Sequence, residues 1–232
     1  MDTVGYAALQ TTIVLYQAPL YKRILSYIIP VRIREGSSED NPSLELFLFR
    51  GDYQLATPDA VYSDGRRYRP LVAAFREIKD DFPGVKKVLL LGTGLGSGVE
   101  ILRGKGYYPE FVLVEKDSTI LSWAIELLTL DKRQQAIRTV CADAKDYMDS
   151  NSEVFDLVVV DIFNSRVVPE FVTGTDFLKN CRRSMGPGGK LILNYIINNE
   201  KEWDGMLARF RSVFASYDIV SFGINRVIIA RA

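Results

Sequence analysis

At 232 residues the chain can bury one sizeable core with an appendage, and its 29 basic and 29 acidic side chains leave no net field favouring nucleic acid or an anionic membrane. Two cysteines, Cys141 and Cys181, are too few for a disulfide framework and fit a reducing compartment. The absence of histidine removes the usual general base and the commonest metal ligand, so proton chemistry falls to Asp, Glu, Tyr, Lys or water, and no metal is expected.

The N-terminus is fairly apolar, but Asp2 replaces the basic start of a signal peptide, and Gln10, Gln17, Lys22 and Arg23 interrupt the run before it could span a bilayer. A soluble, cytoplasmic protein is expected. Residues 1–25 show no clean period and fit a helix or an edge segment. Residues 26–34 read as a strand with Pro30 at an edge or bend, and the Gly, Ser, Asp, Asn and Pro cluster at 35–43 reads as a loop. A strand at 44–50, a Gly51-Asp52 turn and a short strand at 53–55 complete a small antiparallel unit. Residues 62–68 then lead into a helix predicted over 70–80. The expected division is an N-terminal segment with this β-unit over 1–68, and an α/β domain over 69–232.

Residues 85–115 organise that second domain. An apolar run ends at Leu91 and is closed by Gly92-Thr-Gly94-Leu-Gly96-Ser-Gly98, after which helical periodicity begins. This is a strand, a tight turn and a helix. The next apolar run ends at Glu115, roughly 20 residues past the glycines, where nucleotide-binding sheets place the carboxylate that grips ribose hydroxyls. Glycines let a ligand approach the backbone and the helix N-terminus. The signal is a nucleoside-type ligand.

Strands at 85–91, 111–115, 137–141, 155–161 and 190–196 alternate with helices at 97–105, 118–129, 145–150, 175–185 and 200–215. Such alternation implies a parallel sheet covered on both faces, with Glu115, Asp143 and Asp161 at the carboxyl ends of strands, where such sheets bind ligands. Residues 217–222 and 226–231 then form two strands joined by a tight turn at Gly223-Ile-Asn225, too short for a crossover helix. The last strand therefore runs antiparallel. This pattern resembles the class I methyltransferase fold, a Rossmann-like, mostly parallel seven-stranded sheet ending in an antiparallel hairpin. The dinucleotide fingerprint Gly-x-Gly-x-x-Gly is not met, because Ser97 stands where its third glycine would be.

The stretches 44–54 with Tyr62, Gly92–Gly96, Val112-Leu-Val-Glu115, Ala142-Asp143-Ala144, Phe155 to Asp161, Val168-Pro169 to Leu178, and Pro187-Gly-Gly189 together resemble the spermidine synthase family and its spermidine synthase-like relatives. The resemblance implies an N-terminal β-unit on a class I fold that binds S-adenosylmethionine or decarboxylated S-adenosylmethionine. It places Gly92, Gly94, Gly96, Glu115, Asp143 and Ala144 around that ligand, with Glu115 on the ribose and Asp143 on the adenine amino group. Gln54, Tyr62 and Asp64 fall on the amine side, with Asp161, Asn164 and Tyr62 as catalytic candidates. A homodimer is implied as well. The family carries an acid where Leu95 stands, another where Asn164 stands, and His-Glu where this chain has Ser63-Asp64. Those acids hold a polyamine's ammonium groups and help deprotonate the attacking nitrogen. Asp161, Asp64 and Asp59 are the remaining acids to take over that work.

Plainer readings stand beside these. The glycines also suit a bare strand-to-helix turn, Asp143 also suits a helix cap, and a lone Gln54 or Tyr62 is usually a core or rim residue. Arg66, Arg67 and Arg69 read as a solvated helix start rather than an anion site. Trp123 and Trp203 read as packing, and Cys141 as a small buried hydrophobe. Three functions are carried forward. The first is transfer of a methyl group to a small-molecule acceptor, slightly favoured because the diamine-binding acids are missing. The second is aminopropyl transfer with relocated acids, and the third a non-catalytic nucleoside- or partner-binding domain.

Overall fold

The computed structural model describes residues 18–130 and 136–232. A small antiparallel sheet runs in the order β1 (Val31–Gly36), β2 (Leu44–Phe49), β3 (Asp52–Ala56), β4 (Val61–Ser63). A second sheet contains β5 (Lys87–Leu91), β6 (Glu110–Glu115), β7 (Ile137–Cys141), β8 (Phe155–Val160), β9 (Met185–Ile196), β10 (Tyr217–Phe222) and β11 (Asn225–Arg231). Its spatial order is β10-β11-β9-β8-β5-β6-β7. The five strands from β5 to β9 are parallel, whereas β11 runs antiparallel to both β9 and β10. This is the class I methyltransferase arrangement with its terminal hairpin.

The helices are α1 (Leu20–Leu25), α2 (Arg69–Glu77), α3 (Ser97–Gly104), α4 (Ser118–Thr129), α5 (Ala144–Ser150), α6 (Thr175–Arg183) and α7 (Glu200–Val213). Alternate residues of each central strand feed opposite faces, as the two-residue strand period requires. Leu89, Leu91, Val112, Val114, Val158 and Val160 pack on one side with Phe177, Leu178 and Phe210 of α6 and α7. Val88, Leu90, Phe111, Leu113, Leu157 and Val159 pack on the other with Leu71 and Phe75 of α2 and Val99 and Leu102 of α3. The small sheet is joined to this body through a third cluster, in which Leu44, Leu46 and Leu55 meet Leu95 and Ile120, Trp123 and Leu127 of α4.

Several sequence expectations shift. Residues 1–17 of the stretch without a clean period lie outside the described residues, and Leu20–Leu25 of its remainder form α1. The strand expected over 26–34 begins only at Val31, after a turn that ends at Pro30. It extends into the expected loop because Glu35 pairs with Glu45 and Gly36 with Leu44. The helix expected to Asp80 ends at Glu77, and residues 79–84 tighten into a 3₁₀ turn containing Pro83, which cannot donate a helical hydrogen bond. Cys141 is exposed rather than buried, because it ends the edge strand β7. Cys181 is the buried thiol, and burial pushes its pKa up. No helix among the described residues is long and apolar enough to cross a membrane.

Candidate functional site

Strand β5 has β6 on one side and β8 on the other, so the connections leaving its carboxyl end diverge and open a crevice there. A cavity of about 750 Å³ occupies that crevice, within the ordinary range for small-molecule sites. Its floor is the glycine turn. Gly92 has φ +81°, and a Cβ there would stand 2.3 Å from the Asp161 carbonyl oxygen, so only glycine lets β5 and β8 converge at this point. Gly94 also lines the cavity. Gly96 does not: with φ +84° it starts α3, and a Cβ there would meet Leu128 at 2.8 Å.

At one end of the cavity, Glu115 Oε2 accepts from the Gly94 amide at 3.2 Å and Oε1 from the Asp117 amide at 3.2 Å. Burial raises the Glu115 pKa against these bonds. Both carboxylate oxygens are thus held in place, with lone pairs left for a vicinal diol. Asp143 caps α5 through Oδ1, which accepts from the Lys145 amide at 2.7 Å, and lines the cavity beside Ala144. Capping and lining coexist because the cap occupies one oxygen. The β1–β2 loop closes this end: Asp117 Oδ2 accepts from Asn41 Nδ2 at 2.7 Å and from the Ser38 hydroxyl, and Lys116 pairs with Asp40 at 2.8 Å.

At the other end stands Asp161. Its Oδ1 accepts from the Tyr68 hydroxyl at 3.0 Å and from Asn194 Nδ2 at 2.8 Å. Burial pushes this carboxyl up to about 6 despite both bonds. Burial, with Asp161 adjacent, holds the Tyr68 phenol well above its ordinary range. The loop after β8 folds back on the small sheet, where Tyr62 Oη accepts from the Ser165 amide at 2.9 Å and Asp59 accepts from the Ser165 hydroxyl. Tyr62, Asp59, Asn164 and Ser165 all line the cavity, with Asn164 exposed on the turn it closes with Val167.

The Methyltransferase domain family matches residues 89–193. The polyamine aminopropyltransferase of Chromobacterium violaceum is 26% identical over 159 residues, which is 68% of this chain and 57% of that protein. The chain therefore spans little more than half the length of that curated relative. Among solved structures, a probable spermidine synthase from Corynebacterium glutamicum superposes with a TM-score of 0.69 at 16% identity, covering 88% of this chain and 80% of its own. Spermidine synthase from Thermotoga maritima gives 0.66 at 15% identity, covering 87% and 72%. The chain has the class I methyltransferase fold and is similar to the spermidine synthases.

Within this fold, two of the amine-side candidates sit elsewhere. Gln54 and Asp64 do not line the cavity; Gln54 Nε2 donates to Asp64 Oδ1 at 2.6 Å, and Arg67 donates to the same oxygen at 3.0 Å. Arg66 and Arg67 also pair with the buried Asp52, and Arg69 lies over the Phe222 ring at 4.6 Å. These arginines fasten the small sheet and the hairpin. Leu95 is 4% exposed and turned into the cluster with Leu44 and Trp123. Trp123 and Trp203 are both buried packing residues.

Among the described residues six carboxylates line the cavity, those of Asp40, Asp59, Glu115, Asp117, Asp143 and Asp161, against one cation, Lys116. Hydroxyl bonds from Ser165 and Thr57 hold Asp59 below its ordinary pKa. Sequence reasoning missed Tyr68, Ser165 and Asn194. Only Asn194 left a trace, as the one amide inside the apolar run Leu191-Ile-Leu-Asn-Tyr195.

Proposed function

We propose that this protein transfers an alkyl group from an adenosyl sulfonium, S-adenosylmethionine or its decarboxylated form, to a small amine. Aminopropyl transfer from the decarboxylated donor is the favoured reaction. The observation that carries this reading is the charge of the cavity: among the described residues six carboxylates face one lysine, and that lysine is already paired with Asp40. Cationic ligands gain from such a lining, whereas a donor carrying a methionine carboxylate finds no free cation among the described residues there. This outweighs the slight preference for methyl transfer drawn from the missing family acids. The polyamine aminopropyltransferase relative supports the same direction.

The residues present fit an adenosyl group. Glu115 would accept from the ribose hydroxyls, Asp143 from the adenine amino group through its uncapped oxygen, and Ile120, Ala142 and Ala144 would flank the base. When bound, the sulfonium supplies the leaving group. Asp161 takes a proton from the acceptor ammonium and so frees the nitrogen lone pair. That pair forms the new carbon–nitrogen bond as the carbon–sulfur pair returns to sulfur, leaving a neutral thioether. Tyr62 and the loop it anchors hold the acceptor in line. A homodimer is carried forward as a proposal, checked by light scattering in solution.

Calorimetric titration with S-adenosylmethionine, decarboxylated S-adenosylmethionine, methylthioadenosine and S-adenosylhomocysteine tests the reading. The decarboxylated donor and methylthioadenosine are expected to bind more tightly. Preference for the two carboxylate-bearing ligands would return methyl transfer to first place. Binding by none would favour a non-catalytic domain.

A further inference from the structure

Asn194 is 1% exposed and sits near the carboxyl end of β9, after Leu191, Ile192 and Leu193, where an amide is costly unless every polar atom has a partner. It has them. Its Nδ2 donates to Asp161 Oδ1 at 2.8 Å and to the Tyr68 hydroxyl at 3.3 Å, and its Oδ1 accepts from Asn225 Nδ2 at 2.9 Å. Asn225 opens β11, pairing across the hairpin with Phe222 and across the sheet with Ile196. A line of hydrogen bonds thus runs from the terminal hairpin, through β9, to the carboxyl end of β8.

We propose that Asn194 and Asn225 form a positioning relay for Asp161, in which Asn225 fixes which way the Asn194 amide faces and Asn194 thereby fixes which Asp161 oxygen receives the proton. It rests on the reading of Asp161 as the proton acceptor and adds two residues to that site. The chemistry is that of an amide with unlike ends. An ionised carboxylate only accepts, so Asn194 must present its NH₂ to Asp161, and its carbonyl must then find a donor elsewhere. Asn225 is that donor. With the carbonyl satisfied, a flip of the Asn194 amide would break all three bonds and set an oxygen against an anion. Oδ1 of Asp161 then carries two donors, from Tyr68 and Asn194, and Oδ2 is left to take the proton.

The relay also limits how far burial can raise the carboxyl. Tyr68 and Asn194 both favour the ionised form, and among the described residues Tyr68 is the one titratable group that acts on Asp161. Tyr68 approaches from the start of α2 and stays protonated, while β9 and β11 contribute only the neutral amides of Asn194 and Asn225. A buried carboxylate without these donors would hold its proton at neutral pH and could not accept another.

The test is a ¹³C NMR titration of the aspartate side-chain carboxyls in the full chain without ligand, comparing wild type with Asn194→Leu and Asn225→Ala. Asn194→Leu is expected to move the Asp161 midpoint upward by about one pH unit. Asn225→Ala, which leaves Asn194 in place but unanchored, is expected to move it in the same direction by less. The acid limb of kcat/KM for amine transfer should follow both shifts, while donor affinity stays unchanged. An Asp161 midpoint unmoved in Asn225→Ala, or lowered in either variant, would overturn the relay even if thermal stability fell. Failure of the wild-type chain to bind a donor would count against the transferase reading, and the NMR midpoints would still decide the relay.

Discussion

Leu95 stands where the resemblance to the spermidine synthase family implies an acid, and replacing it by aspartate looks like a way to restore a lost amine contact. The packing predicts the opposite. Leu95 is 4% exposed within the cluster that joins the small sheet to α4, against Leu44, Leu46, Leu55, Ile120, Trp123 and Leu127. Removing a buried leucine side chain costs about 3 kcal/mol once the void is counted. A carboxylate in the same place adds about 2 kcal/mol or more, because an ion there has no partner. Leu95→Ala should therefore lower the unfolding free energy by about 3 kcal/mol, and Leu95→Asp by a further 2 kcal/mol or so at pH 7. The folded-state pKa of the new carboxyl would be raised, so its penalty should shrink as pH falls from 7 towards 4.5, where the buried acid takes up a proton. Urea denaturation of wild type, Leu95→Ala and Leu95→Asp at the two pH values measures each quantity. A Leu95→Asp variant within 1 kcal/mol of wild type at pH 7, with tightened amine binding, would refute the placement of this side chain.

Other consequences concern the cavity. Glu115→Ala and Gly94→Val should each abolish adenosyl binding by calorimetry while the far-ultraviolet dichroism of the fold is retained; unchanged affinity in both would remove that end of the site. Asp161 has a folded-state pKa of about 6, above its unfolded value of 3.8, so protons are bound preferentially by the folded chain between these values. Its ionisation should therefore cost stability as pH rises from about 4 to 6, and Asp161→Asn should flatten that slope in denaturation curves while removing most transfer activity. Tyr62→Phe removes the acceptor for the Ser165 amide and should raise the KM for the amine several-fold with little change in donor affinity. A panel of mono- and diamines, run with wild type and Asp59→Asn, reads the remaining charge on the acceptor side. Loss of diamine preference in Asp59→Asn would place the distal ammonium beside that carboxylate.

The parallel half of the fold was legible because strand and helix periods alternate cleanly after residue 85 and because the glycine turn punctuates them. The hairpin was legible for a simpler reason: the Gly223-Ile-Asn225 turn has no room for a crossover. Legibility failed where tertiary pairing overrode local pattern. Glu35 and Gly36 look like loop residues yet pair with β2, and β4 spans three residues, too few to show a period. At the site, position along the chain located Gly92, Gly94, Glu115, Asp143 and Asp161 at one sheet edge, since strand ends are readable from sequence. Direction was not readable. Gln54 alternates out of the cavity into the Asp64–Arg67 cluster, and Leu95 turns from the glycine loop into the core. Tyr68 and Asn194 reach Asp161 from elements far from it in sequence, which no local spacing reveals.

The most direct test of the central claim is identification of the sulfur product during turnover. Purified protein would be incubated with an equimolar mixture of S-adenosylmethionine and its decarboxylated form and a panel of small amines, and the nucleosides resolved by mass spectrometry. The acid-lined cavity predicts methylthioadenosine, formed in step with an aminopropylated amine and lost in Asp161→Asn. Accumulation of S-adenosylhomocysteine with a methylated acceptor would contradict it.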